Sequence, residues 1–236
     1  MVRFILLFIL LVAAGGAGSW FISGQVNKHS GAQMPVEIRT LLSRAGAGDV
    51  NAEYKLAEAY RLGEGFEKDI PQAFKWYARA AEKGHSGAQY KLGLIYQTGE
   101  GIKQNMGRAA EWYRLAANLG RLPEAQFAMG QLSFLGKGVP QDYAEAFSWY
   151  EKAARQGHHV AQHVLGAMYE EGWAVERDYI EAYKWYTLAI PGREQAMAVN
   201  RIYDPVRARK YLIEKMNKFQ IGRGQQYARE WRKNLR

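Results

Sequence analysis

The stretch WYARAAEKG, from Trp76 to Gly84, decides the fold because the chain repeats its pattern. The Trp-Tyr pair returns at Trp112, Trp149 and Trp185, at successive intervals of 36, 37 and 36 residues counted from Trp76. Alanine, leucine and glycine positions around the pair recur with the same offsets. A period of this length indicates an array of repeated supersecondary units that bury their apolar faces against one another.

Each unit has the pattern of two helices. The first, helix A, starts near an alanine and ends at a glycine, which adopts a left-handed conformation without side-chain strain. The second, helix B, starts at an Asp or Asn N-cap, and a Gln or Glu three residues later fits a capping box in three units. The helix A starts are Ala52, Ala88, Ala125 and Ala161, and the glycines are Gly63, Gly99, Gly136 and Gly172. The N-caps are Asp69, Asn105, Asp142 and Asp178, and the box residues are Gln72, Glu145 and Glu181.

The repeat pattern predicts the fold class. One such hairpin cannot cover its own apolar face, so the units must stack. A chain of 236 residues, 48% of them hydrophobic, is long enough to build that core. We predict an all-α solenoid of stacked helix-turn-helix repeats at residues 52–87, 88–124, 125–160 and 161–192.

The full pattern of a unit resembles a known repeat. Ala-x-x-x-Leu-Gly-x-x-Tyr, then Gly-x-Gly, then Asp-x-x-x-Ala-x-x-Trp-Tyr-x-x-Ala-Ala is similar to the Sel-one-like repeat, a relative of the tetratricopeptide repeat. The resemblance implies a right-handed α-solenoid that acts as an adaptor, and it implies no substrate. It also implies that residues 36–49 form an N-terminal capping helix and that residues 193–236 contain C-terminal capping helices.

The C-terminal region carries most of the charge. Between residues 200 and 236 there are eleven Lys or Arg and three acidic residues, which gives +8 of the chain's +9. We expect Leu212, Met216 and Phe219 to face the last repeat, and Gly222 and Gly224 to fray or break the last helix. The outer face is then either simply solvated or binds an anionic polymer, lipid head groups or an acidic partner. Nucleic acid is not expected, because the chain is predicted to be exported.

Residues 1–22 form a separate predicted segment, uncharged from Phe4 to Ile22. The apolar run has features of a signal peptide, and its length approaches the roughly 20 residues that span a bilayer. We therefore expect a signal anchor or a cleaved signal peptide, followed by a flexible linker at residues 23–35. Either one predicts export: the repeats lie on the outer face of a bacterial inner membrane, held by a single span, or free in the periplasm after cleavage.

Catalytic patterns are missing from the sequence. The chain has no cysteine, which excludes a thiolate zinc site and a cysteine nucleophile. GHHVAQH, residues 157–163, contains three of the five histidines, but no HExxH pattern or nearby carboxylate completes a metal site. Alignment of the units places His158 at the position of His85 and His163 at the position of Tyr54. We predict a non-catalytic protein with no metal and no cofactor.

Binding residues are expected on helix A, because in tetratricopeptide-like stacks this helix lines the concave side. Positions there vary between units while the packing positions repeat, which is typical of a binding face on a constant scaffold. The predicted groove residues are Tyr54, Arg61, Tyr90, Leu94, Gln97, Phe127, Gln131, Phe134, Leu135, His163 and Glu170. Partial burial against the next helix is the alternative for the aromatic residues at the Tyr54 position.

The third unit has the strongest predicted anchor. Phe134 and Leu135 are two large apolar residues at positions that are mostly polar in the other units. They fit an apolar pocket with a polar rim. Alternatively, Ser133 leaves space where the other units have tyrosine, and Phe134 turns inward to fill it.

The predicted function is a protein- or peptide-binding adaptor of the cell envelope, attached to the membrane through its N-terminal segment. The alternative is an enzyme, or an enzyme regulator, that acts on cell-wall or envelope polymers.

Overall fold

The computed structural model describes residues 35–234, so the predicted anchor or signal segment and nearly all of the linker lie outside it. In that range all regular secondary structure is helical, which confirms the all-α class. The α-helices are α1 (Val36–Gly46), α2 (Val50–Leu62), α3 (Ile70–Glu82), α4 (Ser86–Thr98), α5 (Met106–Asn118), α6 (Pro123–Leu135), α7 (Tyr143–Arg155), α8 (His159–Glu171), α9 (Tyr179–Ala189), α10 (Arg193–Val199), α11 (Pro205–Ile213) and α12 (Lys218–Asn234). Of these helices, none is both long enough and apolar enough to cross a membrane.

Four helical hairpins form the body of the molecule. The helices A are α2, α4, α6 and α8, and the helices B are α3, α5, α7 and α9. Each helix packs against the next one along the chain, within a hairpin and between hairpins. At one end α1 packs on α2, and at the other end α11 and α12 both pack on α9. This sequential packing is that of a solenoid, in which each unit covers the apolar face of its neighbour.

The turn between helix A and helix B begins at a glycine in each hairpin, as predicted. Every helix A ends at its predicted glycine, whose φ lies between +64° and +77°. Two residues later Gly65, Gly101 and Gly138 have φ between +71° and +74°, and Ala174 has φ +63° at the same position of the fourth hairpin. The turn geometry is therefore kept even where its second glycine is missing.

Helix B begins as predicted, but only one of the two hydrogen bonds of the predicted capping box forms. The side chains of Asp69, Asn105, Asp142 and Asp178 each accept a hydrogen bond from a backbone N–H of the first turn. The N–H groups of the same residues donate to the carbonyls of Tyr60, Tyr96, Ser133 and Tyr169 near the end of helix A. Because these N–H groups are already bonded, the Gln or Glu three residues later does not cap them. Glu145 accepts instead from Ser133 and Trp149.

Within each hairpin, the tyrosine of the Trp-Tyr pair packs on a small residue of helix A. A Cβ atom added to Gly130 would lie 2.6 Å from the ring of Tyr150, and one added to Gly166 would lie 2.6 Å from Tyr186. No real Cβ approaches a ring so closely, so the small residue is what allows the two helices to pack at this distance.

Between hairpins, two aromatic pairs mark the same interface position. They are Phe74 on Tyr96, with ring centroids 5.7 Å apart, and Phe147 on Tyr169, at 5.5 Å. Between the second and third hairpins the same two positions are held by Ala110 and Ser133, and both are buried. This interface therefore has a small residue on each side, and the hydroxyl of Ser133 donates a hydrogen bond of 3.0 Å to Glu145.

The last helix is continuous. α12 runs from Lys218 to Asn234, so the prediction that Gly222 and Gly224 break it is wrong. At Gly224 the helix meets Tyr183 of α9, and an added Cβ would lie 2.7 Å from that ring. Gly224 is therefore required for close packing, whereas a Cβ on Gly222 would meet nothing within 4 Å.

The predicted inner face of the C-terminal helices is correct for two residues of three. Leu212 is fully buried, and Met216 packs on the same apolar cluster. Phe219 is 72% exposed, so its predicted contact with the last repeat is wrong. In α12 the inward positions include Ile221 and Gly224, and the helical rotation places Phe219 on the opposite side.

Candidate binding surface on the first helices of the repeats

The four aromatic positions of helix A become more buried toward the C-terminal end. Tyr54 and Tyr90 are partly buried, whereas Phe127 is 8% exposed and His163 is 6% exposed. Burial raises the pKa of Tyr90 to about 12, which keeps its hydroxyl neutral. These four predicted groove residues therefore contribute mainly to the wall between neighbouring helices.

Two histidines of the sequence cap helices. His85 and His158 are the N-caps of α4 and α8, and the Nδ1 atom of each accepts a backbone N–H at 3.1 Å. His85 stacks on Tyr54 with ring centroids 4.4 Å apart, and His158 stacks on Phe127 at 4.7 Å. Burial lowers the pKa of both histidines, which favours the neutral ring that can accept this bond. The role of His85 and His158 is therefore to cap the helix A that follows each of them.

His163, the last histidine of GHHVAQH, lies beneath the C-terminal segment. Its ring contacts Tyr186 at 5.2 Å and Tyr203 at 5.5 Å between centroids, and its Nδ1 has no hydrogen-bond partner among the described residues. Burial lowers the pKa of His163 to about 4, against an opposing attraction from Asp204. Within residues 35–234, no group of three or more His, Cys, Asp or Glu side chains is arranged to hold a metal ion. His163 therefore does not reach a partner on the outside of the stack.

A second position of the predicted groove bonds the buried tyrosines of helix B. Tyr113 donates to Gln97 at 2.5 Å, and Tyr186 donates to Glu170 at 2.8 Å. In the first hairpin, Arg61 donates to the hydroxyl of Tyr77 at 3.2 Å. These polar side chains satisfy a hydroxyl at the end of a buried ring, which the sequence pattern alone did not show.

The first two hairpins share a charged network on this surface. Glu58 accepts hydrogen bonds from Tyr77 and from Arg61, and it forms an ion pair of 3.0 Å with Lys91. Partial burial alone would raise the pKa of Glu58, but these three donors lower it below its ordinary value. The network holds α2, α3 and α4 together where their side chains are still partly exposed.

In the third hairpin the tyrosine-bonding position is held by Phe134, whose side chain offers no acceptor. Its ring meets Tyr143 edge-on at 5.0 Å and Trp173 at 5.8 Å between centroids. Phe134 and Trp173 are partly exposed, and Tyr143 is 48% exposed. We name these three side chains the aromatic patch. They come from three different segments: the end of α6, the start of α7 and the turn after α8.

The aromatic patch has polar neighbours in sequence and in space. Gln141 donates from its amide to the carbonyl of Phe134 and to the hydroxyl of Tyr143, both at 3.0 Å. Leu135 and Gln131, which the sequence predicted for the groove, are partly exposed on the same helix as Phe134, and so is Leu94 on α4. A cluster of this kind can hold an apolar side chain of a partner while the amides bond its backbone.

Tyr143 and Trp173 were missed by the sequence reasoning. Tyr143 aligns with Ile70 and Met106, and Trp173 aligns with Glu64 and Glu100, so both positions vary between units. Both lie outside helix A, on which the groove was predicted. A tryptophan in a turn where the other units have a charged residue was the available signal.

Comparison with known proteins supports the repeat assignment. The family model described as Sel1 repeat matches residues 50–85, 86–120, 123–158 and 159–190. Proteins built from this repeat are generally protein-interaction scaffolds. Among curated proteins, none matches the chain significantly.

Two solved structures are similar over most of the chain. A Sel1 repeat protein from Oxalobacter formigenes is 30% identical, with a TM-score of 0.66 over 84% of this chain and 78% of that protein. The protein c5321, a protective antigen of uropathogenic Escherichia coli strains with an SLR fold, is 40% identical, with a TM-score of 0.64 over 67% of this chain. This chain matches only 34% of the length of the Escherichia coli protein. With four matched repeats and this architecture, the chain belongs to the Sel1 repeat family.

Proposed function

We propose that the protein is a non-catalytic scaffold that holds an extended segment of a protein partner across the helix A surface of its second, third and fourth hairpins. The observation that carries the proposal is the aromatic patch of Phe134, Tyr143 and Trp173, which joins three separate segments at a partly exposed position. In protein interfaces, aromatic residues at an apolar centre that is surrounded by a polar rim contribute much of the binding energy.

The surface around the patch supports an extended partner. Leu135 and Gln131 continue along α6, and Leu94 holds the position of Gln131 on α4. The side chains that fix the scaffold recur in each hairpin, whereas these positions differ from one hairpin to the next. Variation restricted to one face of a regular stack favours recognition of a particular sequence over a general role as a spacer.

We further propose that the protein works in the bacterial cell envelope, with the repeats on the outer face of the inner membrane. Support comes from the uncharged run between Phe4 and Ile22, which has the features of an export signal or anchor. The charge of +8 between residues 200 and 236 favours an additional contact with an anionic polymer, an anionic lipid or an acidic protein. A reporter that is active only outside the cytoplasm, fused after the last residue, should be active if the topology is right.

Site-specific crosslinking tests the binding proposal. A photo-crosslinking amino acid at Leu135 in the full chain should capture a defined protein from cells, and the same group at Lys75, exposed on α3, should not capture it. Phe134→Ala should reduce that crosslink at least tenfold, because anchors of this kind contribute about 2 kcal/mol or more. Leu62→Ala is the matched control, because Leu62 is 51% exposed at the position of Leu135 in the first hairpin.

Three results would contradict the proposal. Equal capture at Leu135 and Lys75 would mean that the partner does not bind specifically at the helix A surface. If Phe134→Ala loses the crosslink because it unfolds, Phe134 supports the fold and is not a partner contact. Thermal unfolding of each variant is therefore measured in parallel. A product that is a modified envelope polymer, formed by the purified protein, would favour the alternative of an enzyme acting on such polymers.

A further inference from the structure

We infer that the junction of α11 and α12 is a docking surface for an anionic lipid bilayer. The junction surface consists of Val206, Arg207, Lys210 and Tyr211 on α11 and of Lys218 and Phe219 at the start of α12. All six side chains are exposed. The inference rests on the proposed contact between the C-terminal region and an anionic partner. It identifies that partner as an anionic lipid bilayer.

The six residues are exposed side chains on the parts of α11 and α12 that do not pack on α9. On α11, Ala208 and Leu212 pack toward α9, which leaves Val206, Lys210 and their neighbours on the side away from the stack. On α12, the inward positions include Ile221 and Gly224, and Phe219 lies opposite to them. Only the four residues Glu214–Asn217 separate the two helices, so Lys210 and Tyr211 near the end of α11 are followed closely by Lys218 and Phe219, and Val206 and Arg207 lie about one turn earlier on α11.

The cations of this surface are available for a ligand. Two other basic groups of the C-terminal region are engaged: Lys215 pairs with Glu170 at 2.7 Å, and Arg223 donates to Tyr227. Lys210 and Lys218 form no ion pair within residues 35–234. Arg207 lies 5.5 Å from the ring centre of Tyr211, where its positive charge remains exposed.

The apolar residues of the surface favour a bilayer over a soluble polyanion. Phe219 is 72% exposed, Tyr211 48% and Val206 39%. A soluble polyanion needs only the cations, and the exposed phenylalanine would remain in water. At a bilayer the same phenylalanine enters the boundary between head groups and acyl chains, the tyrosine lies at the interface, and the lysines reach the anionic head groups. This arrangement of side chains fits the membrane interface.

A fluorescent label can report docking at this surface alone. The chain has no cysteine, so a single cysteine is labelled uniquely. We place an environment-sensitive fluorophore on Gly222→Cys, one helical turn after Phe219 and with open space around it, and on Lys75→Cys in α3 as the control. Vesicles of phosphatidylcholine with about 30% phosphatidylglycerol should shift the emission of the label at 222 to the blue, and pure phosphatidylcholine should not. The label at 75 should remain unchanged.

Substitutions then separate charge from insertion. Lys210→Ala and Lys218→Ala should each weaken vesicle binding about fivefold, and Phe219→Ser about tenfold. Lys103→Ala, which removes an exposed lysine from the turn between α4 and α5, should leave it unchanged. Every variant keeps residues 1–34, so any contribution of that segment to vesicle binding is the same in all of them.

The outcomes distinguish this inference from the broader proposal. No blue shift at 222 with anionic vesicles, or an equal shift at 75, overturns docking at the junction. Binding to soluble polyphosphate together with no response to vesicles also overturns the lipid inference, although it keeps an anionic partner for the C-terminal region. Failure of both ligands removes the anionic partner as well.

Discussion

At the scale of single residues, Ala174 carries backbone strain that its counterparts avoid. Its φ is +63°, at the position where the other three hairpins have Gly65, Gly101 and Gly138. A Cβ atom makes this conformation unfavourable, because it approaches the following carbonyl oxygen. We expect Ala174→Gly to raise the free energy of unfolding by up to about 1 kcal/mol, as measured by urea denaturation.

A matched substitution in the first turn of α7 provides the control. Ala144 is exposed and helical, so Ala144→Gly should lower the free energy of unfolding by about 0.5–1 kcal/mol. If both substitutions destabilise the protein to a similar extent, strain at Ala174 is not significant.

The buried ring of His163 predicts a loss of stability in mild acid. Its pKa is lowered from 6.5 to about 4 in the folded chain, so between these values the unfolded chain binds more protons than the folded one. The stability it contributes is complete above pH 6.5 and declines as the pH falls toward 4, by at most about 3 kcal/mol. Urea denaturation at several pH values measures this slope.

The variant His163→Phe isolates that contribution, because Phe127 holds the same position in the preceding hairpin. The variant should lose a large part of the slope between pH 6.5 and 4, and it should be at least as stable as the parent at neutral pH, since it removes a buried nitrogen without a partner. The remaining slope includes His85 and His158, whose pKa values are also lowered by burial. An unchanged slope would show that His163 is not the group that titrates.

At the scale of the helices, two glycines of α12 have opposite roles. A Cβ on Gly222 meets no atom within 4 Å, whereas a Cβ on Gly224 would lie 2.7 Å from Tyr183. Gly222→Ala should therefore stabilise the protein by up to about 1 kcal/mol through helix propensity alone. Gly224→Ala should destabilise it, because α12 must move away from α9. Thermal unfolding of the two variants tests this. A gain in stability for both would mean that the Tyr183 side chain can move away at little cost, and that close packing does not require Gly224.

The helices could be predicted from the sequence largely because their signals are local. The glycine after each helix A and the Asp or Asn before each helix B act on backbone groups within a few residues, so the printed sequence contains both partners. The interface of Ala110 with Ser133 depends on residues 23 positions apart on different hairpins. The sequence shows the missing tyrosine at Ser133, but it does not show that the small Ala110 stands at the partner position. In the structure Phe134 is partly buried against the cluster that contains Phe127 and Tyr150.

The candidate site was less predictable for the same physical reason. Gln97 and Glu170 vary on an outer position of helix A, which was read as a binding pattern, yet each accepts a hydrogen bond from a buried tyrosine of helix B. His163 aligned with the aromatic row but is covered by Tyr203, which follows the last repeat and has no counterpart in the period. Contacts from outside the repeat cannot be derived from its pattern.

At the scale of the whole molecule, the stack ends differently on its two sides. Within the described residues, one helix, α1, packs on α2 at the N-terminal end, whereas at the C-terminal end α11 and α12 both pack on α9. Trp231 packs on Trp185 with ring centroids 5.2 Å apart, and Lys184 lies over both rings at 4.5 and 5.3 Å. Lys184 is only 8% exposed, and its charge is paired with Glu181. The last hairpin thus depends on the C-terminal helices for the burial of its tryptophan.

Because each hairpin contacts mainly its neighbours, loss of this contact should have a local effect. We expect Trp231→Ala to lower stability by about 2 kcal/mol or more and to accelerate hydrogen exchange in α8 and α9 far more than in α2 to α4. Trp231→Phe retains a ring on Trp185 and should preserve a large part of the protection. The measurement is hydrogen exchange by mass spectrometry under native conditions. If Trp231→Ala raises exchange equally along the chain, the hairpins unfold as one cooperative unit, and the C-terminal helices stabilise the complete stack instead of its last hairpin.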